Sequence, residues 1–257
     1  MAFDLNNFVI DRIVRGVALS QKDDSVLFSI NQIQNASLNC ASESTDAVDA
    51  MGTPIATFYR AKSAEFSAEN ALFDMNLMAT QLGTKKTVAS ADAKITVPAM
   101  ESFTVDSTKA YTLKHTPKAA PTEIYALNSD STFGVKYSKA TAASDVAFAV
   151  SGADLTLPTS VAAGTEMFVM YEYETENAVE VVNSATNFPV GCKFVMEVLG
   201  CDVCDQTNLV YAYVIFYNAK LSPDFDWSIA TDGTHPFSMK AQQDYCDKEK
   251  RLELIAA

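Results

Sequence analysis

The sequence is poor in the residues and motifs that many enzymes place at their centres. It has only two histidines, His115 and His235, and neither belongs to an HExxH motif, which excludes zincin chemistry. It also lacks a glycine-rich phosphate loop, a GxSxG elbow and a GxGxxG fingerprint. Nucleotide enzymes and the common hydrolases therefore have no local signature here. We expect a protein that is not an enzyme and that has no cofactor.

Basic residues and long apolar runs are also scarce. Nineteen lysines and arginines face 32 acidic residues, and the net charge of −13 argues against specific nucleic-acid binding because such a surface repels phosphate. The first residues lack a basic region followed by an apolar stretch, so no signal peptide is expected. The longest apolar run, Leu209–Tyr217, has nine residues, about half of the ~20 that a membrane helix needs. We expect a soluble, unsecreted protein with no membrane partner.

Cysteines number five, too few and too uneven for a disulfide scaffold, which favours a reducing compartment and buried thiols. Two alternatives stay open. The Cys201-Asp-Val-Cys204 motif forms a disulfide, or it binds zinc together with Cys192 and Cys246. The motif has no second CxxC at zinc-ribbon spacing, so we assign no metal site.

Carboxylates are plentiful, but nothing in their spacing identifies a catalytic pair. A glycosidase needs two of them across a cleft, and we favour solvated positions for all of them. Trp227 is expected to be a core anchor rather than a sugar platform. The acidic residues considered are Glu172, Glu174, Glu176, Glu180, Asp202, Asp205, Asp224 and Asp226.

What is present is a globular composition with strand patterns. Hydrophobic residues make up 48% and charged residues 20% of 257 residues, which fits one large domain or a core with an insert. Residues 25–40 alternate as a strand with a bulge near Gln32, and residues 55–66 return to an extended pattern. Between them the small, acidic stretch Ala41–Pro54 predicts a long loop.

One helix is predicted, over about residues 68–82. Ser67 serves as its N-cap, Glu69 lies in its first turn, and Gly83 ends it in a left-handed conformation. An apolar stripe at helical spacing supports it, formed by Leu72, Met75, Met78, Ala79 and Leu82.

The rest of the chain predicts further strands in two groups. Residues 102–175 carry short strands with frequent turn signals, typical of an inserted β-rich subdomain, Ig-like or an elaborated hairpin. Residues 1–101 and 176–257 then form the core, with strands around Phe194, along Leu209–Tyr217, around Phe237 and at 251–255. The predicted fold class is mainly β, a β-sandwich or half-barrel core with one flanking α-helix.

Two segments carry a resemblance to a known family. The stretch GTPIATFYRAKSAEFSAENALFDMNLMATQLGTKK (52–86) resembles the strand, helix and exit of tailed-bacteriophage tail tube (major tail) proteins, and DGTHPFSMKAQQDYCDKEKRLELI (232–255) resembles their closing strands. The segment AGTEMFVMYEYET (163–175) is similar to β-rich insertions of phage structural proteins.

The resemblance implies a structural subunit of the virion tail, assembled in the host cytoplasm. Such proteins form stacked hexameric rings around a lumen that conducts DNA, contact sheath, tape-measure or baseplate proteins, and use a long loop, here 41–54, to reach the neighbouring ring. A capsid-decorating or other virion protein is a second hypothesis. A carbohydrate-binding or carbohydrate-active adhesive module, with Trp227 against sugar, is the alternative from another class. A zinc-stapled domain is a further one.

Overall fold

The computed structural model describes residues 7–243 and 252–256. The chain divides into two compact units, one formed by residues 1–86 and 181–257 and the other by residues 87–180. The predicted insert, 102–175, lies inside the second unit. Residue 102 falls within a strand of that unit, and Thr175 ends another.

The described residues form seventeen strands and one α-helix, α1 (Met75–Gln81). This confirms the predicted mainly β fold class with one helix. The strands are β1 (Phe8–Ser20), β2 (Val26–Ile30), β3 (Ile33–Val48), β4 (Pro54–Asn70), β5 (Thr87–Val88), β6 (Ile95–Thr104), β7 (Ala110–Thr112), β8 (Glu123–Leu127), β9 (Phe133–Lys139), β10 (Ala147–Ser151), β11 (Asp154–Thr156), β12 (Glu166–Thr175), β13 (Val179–Glu180), β14 (Gly191–Asp202), β15 (Asp205–Leu221), β16 (His235–Ala241) and β17 (Leu252–Ala256).

The first unit is a single curled sheet with the strand order β2-β1-β14-β15-β16-β4-β3, and β17 also pairs with β15. Its two outermost strands, β2 and β3, are consecutive in the chain and only residues 31 and 32 join them. The sheet must therefore curl until its borders approach, and Ile33 of β3 does lie against Gly16 of β1. The predicted half-barrel is confirmed.

Phenylalanine rings fill the inside of this half-barrel. β14 alternates as the sequence predicts, with Phe194 and Met196 buried in the core. The ring of Phe66 lies 5.8 Å from those of Phe194 and Phe216 and 6.0 Å from that of Phe237. Because such aromatic pairs add to the free energy of burying each ring, this cluster stabilises the unit.

The helix is shorter than predicted, and the predicted N-cap is wrong. Residues 68–70 and Ser67 belong to β4, because Phe66, Ala68 and Asn70 are buried with a period of two between β3 and β16. Asp74 is the N-cap instead, and its carboxylate accepts hydrogen bonds from the N–H groups of Asn76 and Leu77. Apolar residues before Asp74 extended the helical stripe in the sequence without extending the helix.

Gly83 follows the helix with a φ of 67°, as predicted, and a Cβ there would lie 2.3 Å from the backbone carbonyl of Phe188. We expect Gly83→Ala to lower the free energy of unfolding by about 3 kcal/mol, since a left-handed alanine costs ~1 kcal/mol and overpacking costs ~1–3 kcal/mol. Gly52 is the matched control, because its φ is 83° and no atom lies within 4 Å of its Cβ position. Urea unfolding should show a loss of only ~1 kcal/mol for Gly52→Ala, and equal losses would contradict the steric argument.

The second unit contains a seven-stranded sheet in the order β6-β12-β8-β9-β10-β11-β7. A separate two-stranded sheet pairs β5, the first strand of the unit, with β13, its last strand. Its hydrophobic core shares no residue with that of the first unit and includes Ile124, Phe148, Leu155, Met167 and Val169. Since each unit buries its own apolar cluster, each meets the usual requirement for a domain.

Candidate assembly surfaces

The segment predicted as a loop, 41–54, is a β-hairpin. Ala41–Val48 continues β3 and pairs with β4, so only residues 49–53 form a turn. Asp49 shapes that turn, because its carboxylate accepts hydrogen bonds from the N–H groups of Met51 and Thr53. From residue 41 to residue 63 the two strands pair with each other and with no other described strand. We call residues 41–63 the arm.

The arm has no core of its own. Each of its residues is exposed except Ala47, which is half-buried. Phe58 and Tyr59 are 56% and 72% exposed, and because they are adjacent in a strand they point to opposite faces. Ile55 and Met51, near the tip, are 69% and 92% exposed. Both faces of the arm therefore present large apolar side chains to solvent.

Three register shifts interrupt the pairing of β3 with β4, and two of them contain a residue in the left-handed conformation. The register of β3 shifts around Asn35, which has a φ of 52°, and that of β4 shifts around Ala61, which has a φ of 44°. Asparagine tolerates this left-handed conformation but alanine does not favour it. The bulge at Ala61 lies at the base of the arm, so it sets the direction in which the arm leaves the half-barrel.

A row of apolar residues crosses the outer face of β1, β14 and β15. Val17 pairs with Val195, and Val195 pairs with Ile215. All three are half-buried and point away from the phenylalanine core. The next row is polar, since Glu197 accepts a hydrogen bond from Arg15 Nε at 2.9 Å and one from the Tyr213 hydroxyl at 3.2 Å. An apolar row with a polar border is the composition of a protein interface.

The outer face of β3, β4 and β16 is polar instead. Ser37, Ser67 and Ser238 pair across these strands and line a cavity of about 420 Å³. Lys240 Nζ lies 2.9 Å from a carboxylate oxygen of Glu65 in the same cavity. The outer surface of the sheet thus changes from apolar to polar between its two sides.

The carboxylates singled out in the sequence mostly have local partners. Asp202 and Asp205 face each other at the β14–β15 turn, where each accepts a hydrogen bond from a residue two positions on. Lysines lie 2.9 Å from Glu174 and 3.4 Å from Glu176. Asp224 and Asp226 line an open cavity of about 470 Å³. Glu172 in β12 and Glu180 in β13 are exposed strand residues.

Contrary to the prediction from the sequence, Trp227 is not in the core, because it lies outside both core clusters and is exposed. It stacks on Phe73 with centroids 4.1 Å apart and an angle of 15° between the rings, and it stays 36% exposed. The side chain therefore anchors the 222–234 segment, which joins β15 to β16, through one face of its ring.

The cysteines considered as zinc ligands are dispersed. Burial raises the pKa of Cys192, in the core, to about 12, whereas Cys204 is exposed. Cys201 lies nine positions beyond Cys192 on the same strand, ~30 Å along it. Cys246 lies outside the described residues, within which no three potential metal ligands cluster.

Five polar side chains are buried among the described residues, and two of them, Glu101 and His235, are titratable groups that the sequence did not identify as buried. Glu101, in the second unit, accepts hydrogen bonds from Tyr111 and Tyr171. His235, in the first unit, is fully buried beside Gln81. His115, by contrast, stacks on Tyr173 with ring centroids 3.8 Å apart and is exposed. Each buried group is the single polar side chain facing inward in an otherwise apolar stretch.

The chain matches a model of a known protein family over most of its length. A model of the YomU/Tube protein family matches residues 8–250, nearly the whole chain. No curated protein matches it significantly. The description indicates a phage-type structural tube protein, and the matched range includes the arm and both units. No described helix is long and apolar enough to cross a membrane.

Proposed function

The chain belongs to the YomU/Tube protein family, and we propose on that premise that it is the tail tube protein of a bacteriophage virion. In this proposal it is a structural, non-catalytic subunit that forms stacked hexameric rings around a lumen through which DNA passes. Its place is the virion tail, after assembly in the host cytoplasm, in contact with sheath, tape-measure or baseplate proteins.

The arm is the observation that carries this proposal. An isolated two-stranded ribbon is marginally stable in water at best, and this one exposes Phe58 and Tyr59 on opposite faces. Both of its strand edges also lack a partner among the described strands. A neighbouring subunit supplies what is missing, namely hydrogen bonds for the edges and apolar surface for the faces.

The apolar row of Val17, Val195 and Ile215 supports the same proposal. Side chains of this kind on an outer sheet face gain ~25 cal/mol for each Å² that a neighbour covers. A contact between two different surfaces of identical chains is heterologous, and it closes into a ring when its rotation divides a full turn. The arm and this row are two such different surfaces.

The net charge of −13 suits a DNA-conducting wall. A basic lumen would hold phosphate by releasing its counterions, whereas an acidic wall repels it and lets the duplex slide. In this proposal the β-rich insert, 102–175, is a decoration of the tube.

Electron microscopy and native mass spectrometry of the purified chain test the proposal. We expect rings and tubes, with six subunits in a ring. A sample that stays monomeric at high concentration contradicts the assembly. Immunolabelling of disassembled virions separates the tail from the head, and label on heads favours a capsid-decorating protein instead.

A further inference from the structure

A buried histidine at the start of β16 is hydrogen-bonded to the start of α1. His235 is 0% exposed at the first position of β16. Its Nδ1 accepts a hydrogen bond from the backbone N–H of Asp74 at 3.4 Å, and its Nε2 lies 2.8 Å from Gln81 Oε1. Because Nδ1 accepts, the ring proton is on Nε2 and is donated to Gln81. Gln81 in turn donates to the carbonyl of Pro236 at 3.1 Å.

The same ring supports the 222–234 segment. Phe73 stacks on His235 with centroids 5.0 Å apart, and Trp227 stacks on the Phe73 ring. Phe225, from the same segment, lies 5.8 Å from His235. The segment exposes most of its other side chains, including Ile229 at 85%. These aromatic contacts therefore hold the segment in place.

Protonation of His235 breaks this arrangement. The second ring N–H would point at the N–H of Asp74, and a buried donor facing another donor loses its hydrogen bond. Burial lowers the pKa of His235, while the negative charge of Asp74 opposes that shift. The Asp74 carboxylate accepts hydrogen bonds from the two N–H groups at the helix start, and the effect of burial on the imidazolium outweighs the attraction of this carboxylate.

The other charged groups on the elements around the ring are directed outward. Glu69 of β4 lines the cavity on the outer face of the sheet, together with Asp224 and Asp226 of the 222–234 segment. Lys240 of β16 pairs with Glu65 on the same face. Asp74 on α1 is thus the charged group that acts on the ring from within the described residues.

We propose that His235 is an acid-sensitive latch, whose protonation releases the 222–234 segment and the first turn of α1 while the rest of the half-barrel stays folded. The release is local because the His235 ring contacts Phe73 and Phe225, whereas the phenylalanine core around Phe66 is held by ring contacts that do not include His235. A released histidine has an ordinary pKa near 6.5. The ratio of released to latched molecules therefore rises up to tenfold for each pH unit below that value.

The only tryptophan of the chain reports on this event. We expect Trp227 emission of the unassembled chain to shift to longer wavelength as the pH falls from 7.5 to 5, while the far-ultraviolet circular dichroism changes little. His235→Gln stays neutral and should show no shift in this range. His115→Gln, which alters the other histidine, should behave as the wild type.

A second measurement, made on the wild type, tests the latch even if the His235→Gln chain does not fold. The imidazole NMR signals of the wild type follow protonation of the ring directly, and hydrogen exchange follows residues 222–234. Protonation of His235 with unchanged emission and exchange overturns the latch, as does a shift that persists in a folded His235→Gln chain. None of these readouts depends on rings or tubes, so the latch and the proposed function fail separately.

Discussion

A chain whose arm is cut back should remain folded and lose the ability to assemble. We expect this of a variant in which residues 43–61 are replaced by Asn-Gly, which joins the paired residues Ser42 and Lys62 by a two-residue hairpin turn. Electron microscopy should then show no rings or tubes at concentrations at least a hundredfold above those at which the wild type assembles. The physical reason is that the deleted residues supply both unpaired edges and apolar faces.

The fold should survive because the deleted residues contribute nothing to the core. No member of the phenylalanine cluster lies between residues 43 and 61. Shortening the connection also lowers the entropic cost of closing it, by ~0.6 kcal/mol for each halving of its length. The midpoint of thermal unfolding of the shortened chain should therefore stay within a few degrees of the wild-type value.

Two point variants test how much the apolar side chains of the arm contribute to assembly while its backbone edges are kept. Phe58→Ser should weaken assembly at least tenfold in critical concentration. Phe133→Ser is the matched control, since Phe133 is 60% exposed against 56% for Phe58 but lies on β9, outside the arm. Equal effects of the two substitutions, or tubes from the shortened chain, would contradict a role for the arm.

The arm also shows where sequence patterns stop being informative. Periodicity in a sequence records which side chains are buried, and it located β14, β15 and β16 because each has a buried face. The strands of the arm bury neither face, so the small and acidic stretch 41–54 follows no period and is predicted as a loop, whereas residues 55–63 keep an extended pattern. Their pairing depends on backbone hydrogen bonds, which leave no hydrophobic pattern.

The predicted start of the helix is wrong because an apolar pattern is present where no helix forms. Ala68, at the end of β4, and Leu72 both continue the apolar stripe of α1 backwards, although Ala68 is buried in the sheet and Leu72 is 60% exposed. A period of two and a period of 3.6 agree over so short a stretch. The cap at Asp74 was the better signal, because a carboxylate before a helix satisfies its first N–H groups.

Removing the buried carboxylate of Glu101 should destabilise the second unit more than any surface change. Glu101 is 3% exposed and accepts hydrogen bonds from the hydroxyls of Tyr171 and Tyr111, the latter at 2.8 Å, and from the N–H of Lys114 at 3.1 Å. Glu101→Ala leaves three donors without their acceptor, of which the Tyr171 hydroxyl belongs to a buried residue and the Tyr111 hydroxyl to a half-buried one. Because each such donor costs ~1–3 kcal/mol, we expect a loss of about 4 kcal/mol in the free energy of unfolding.

Hydrogen exchange measured by mass spectrometry locates the effect. Protection should fall in β6 and β12, which carry Glu101 and Tyr171, and should be retained in β14 of the first unit. Glu101→Gln is the matched control, since it keeps one acceptor oxygen and should cost about half as much. Equal protection of β6 in Glu101→Ala and wild type would contradict the assigned role.

The pH dependence of stability gives the same residue an independent test. Burial alone would raise the pKa of Glu101, but the hydrogen bonds from Tyr171, Tyr111 and Lys114 outweigh burial and hold it below the usual 4.5. Burial and the hydrogen bond to Glu101 raise the pKa values of Tyr111 and Tyr171 to about 12, so both remain donors at neutral pH. A carboxylate with a lowered pKa stabilises the folded state fully above pH 4.5, and this contribution disappears as the pH falls through its folded-state pKa. Unfolding of the second unit should therefore become steeply easier below pH 4.5 in the wild type and less so in Glu101→Gln, whose side chain does not titrate.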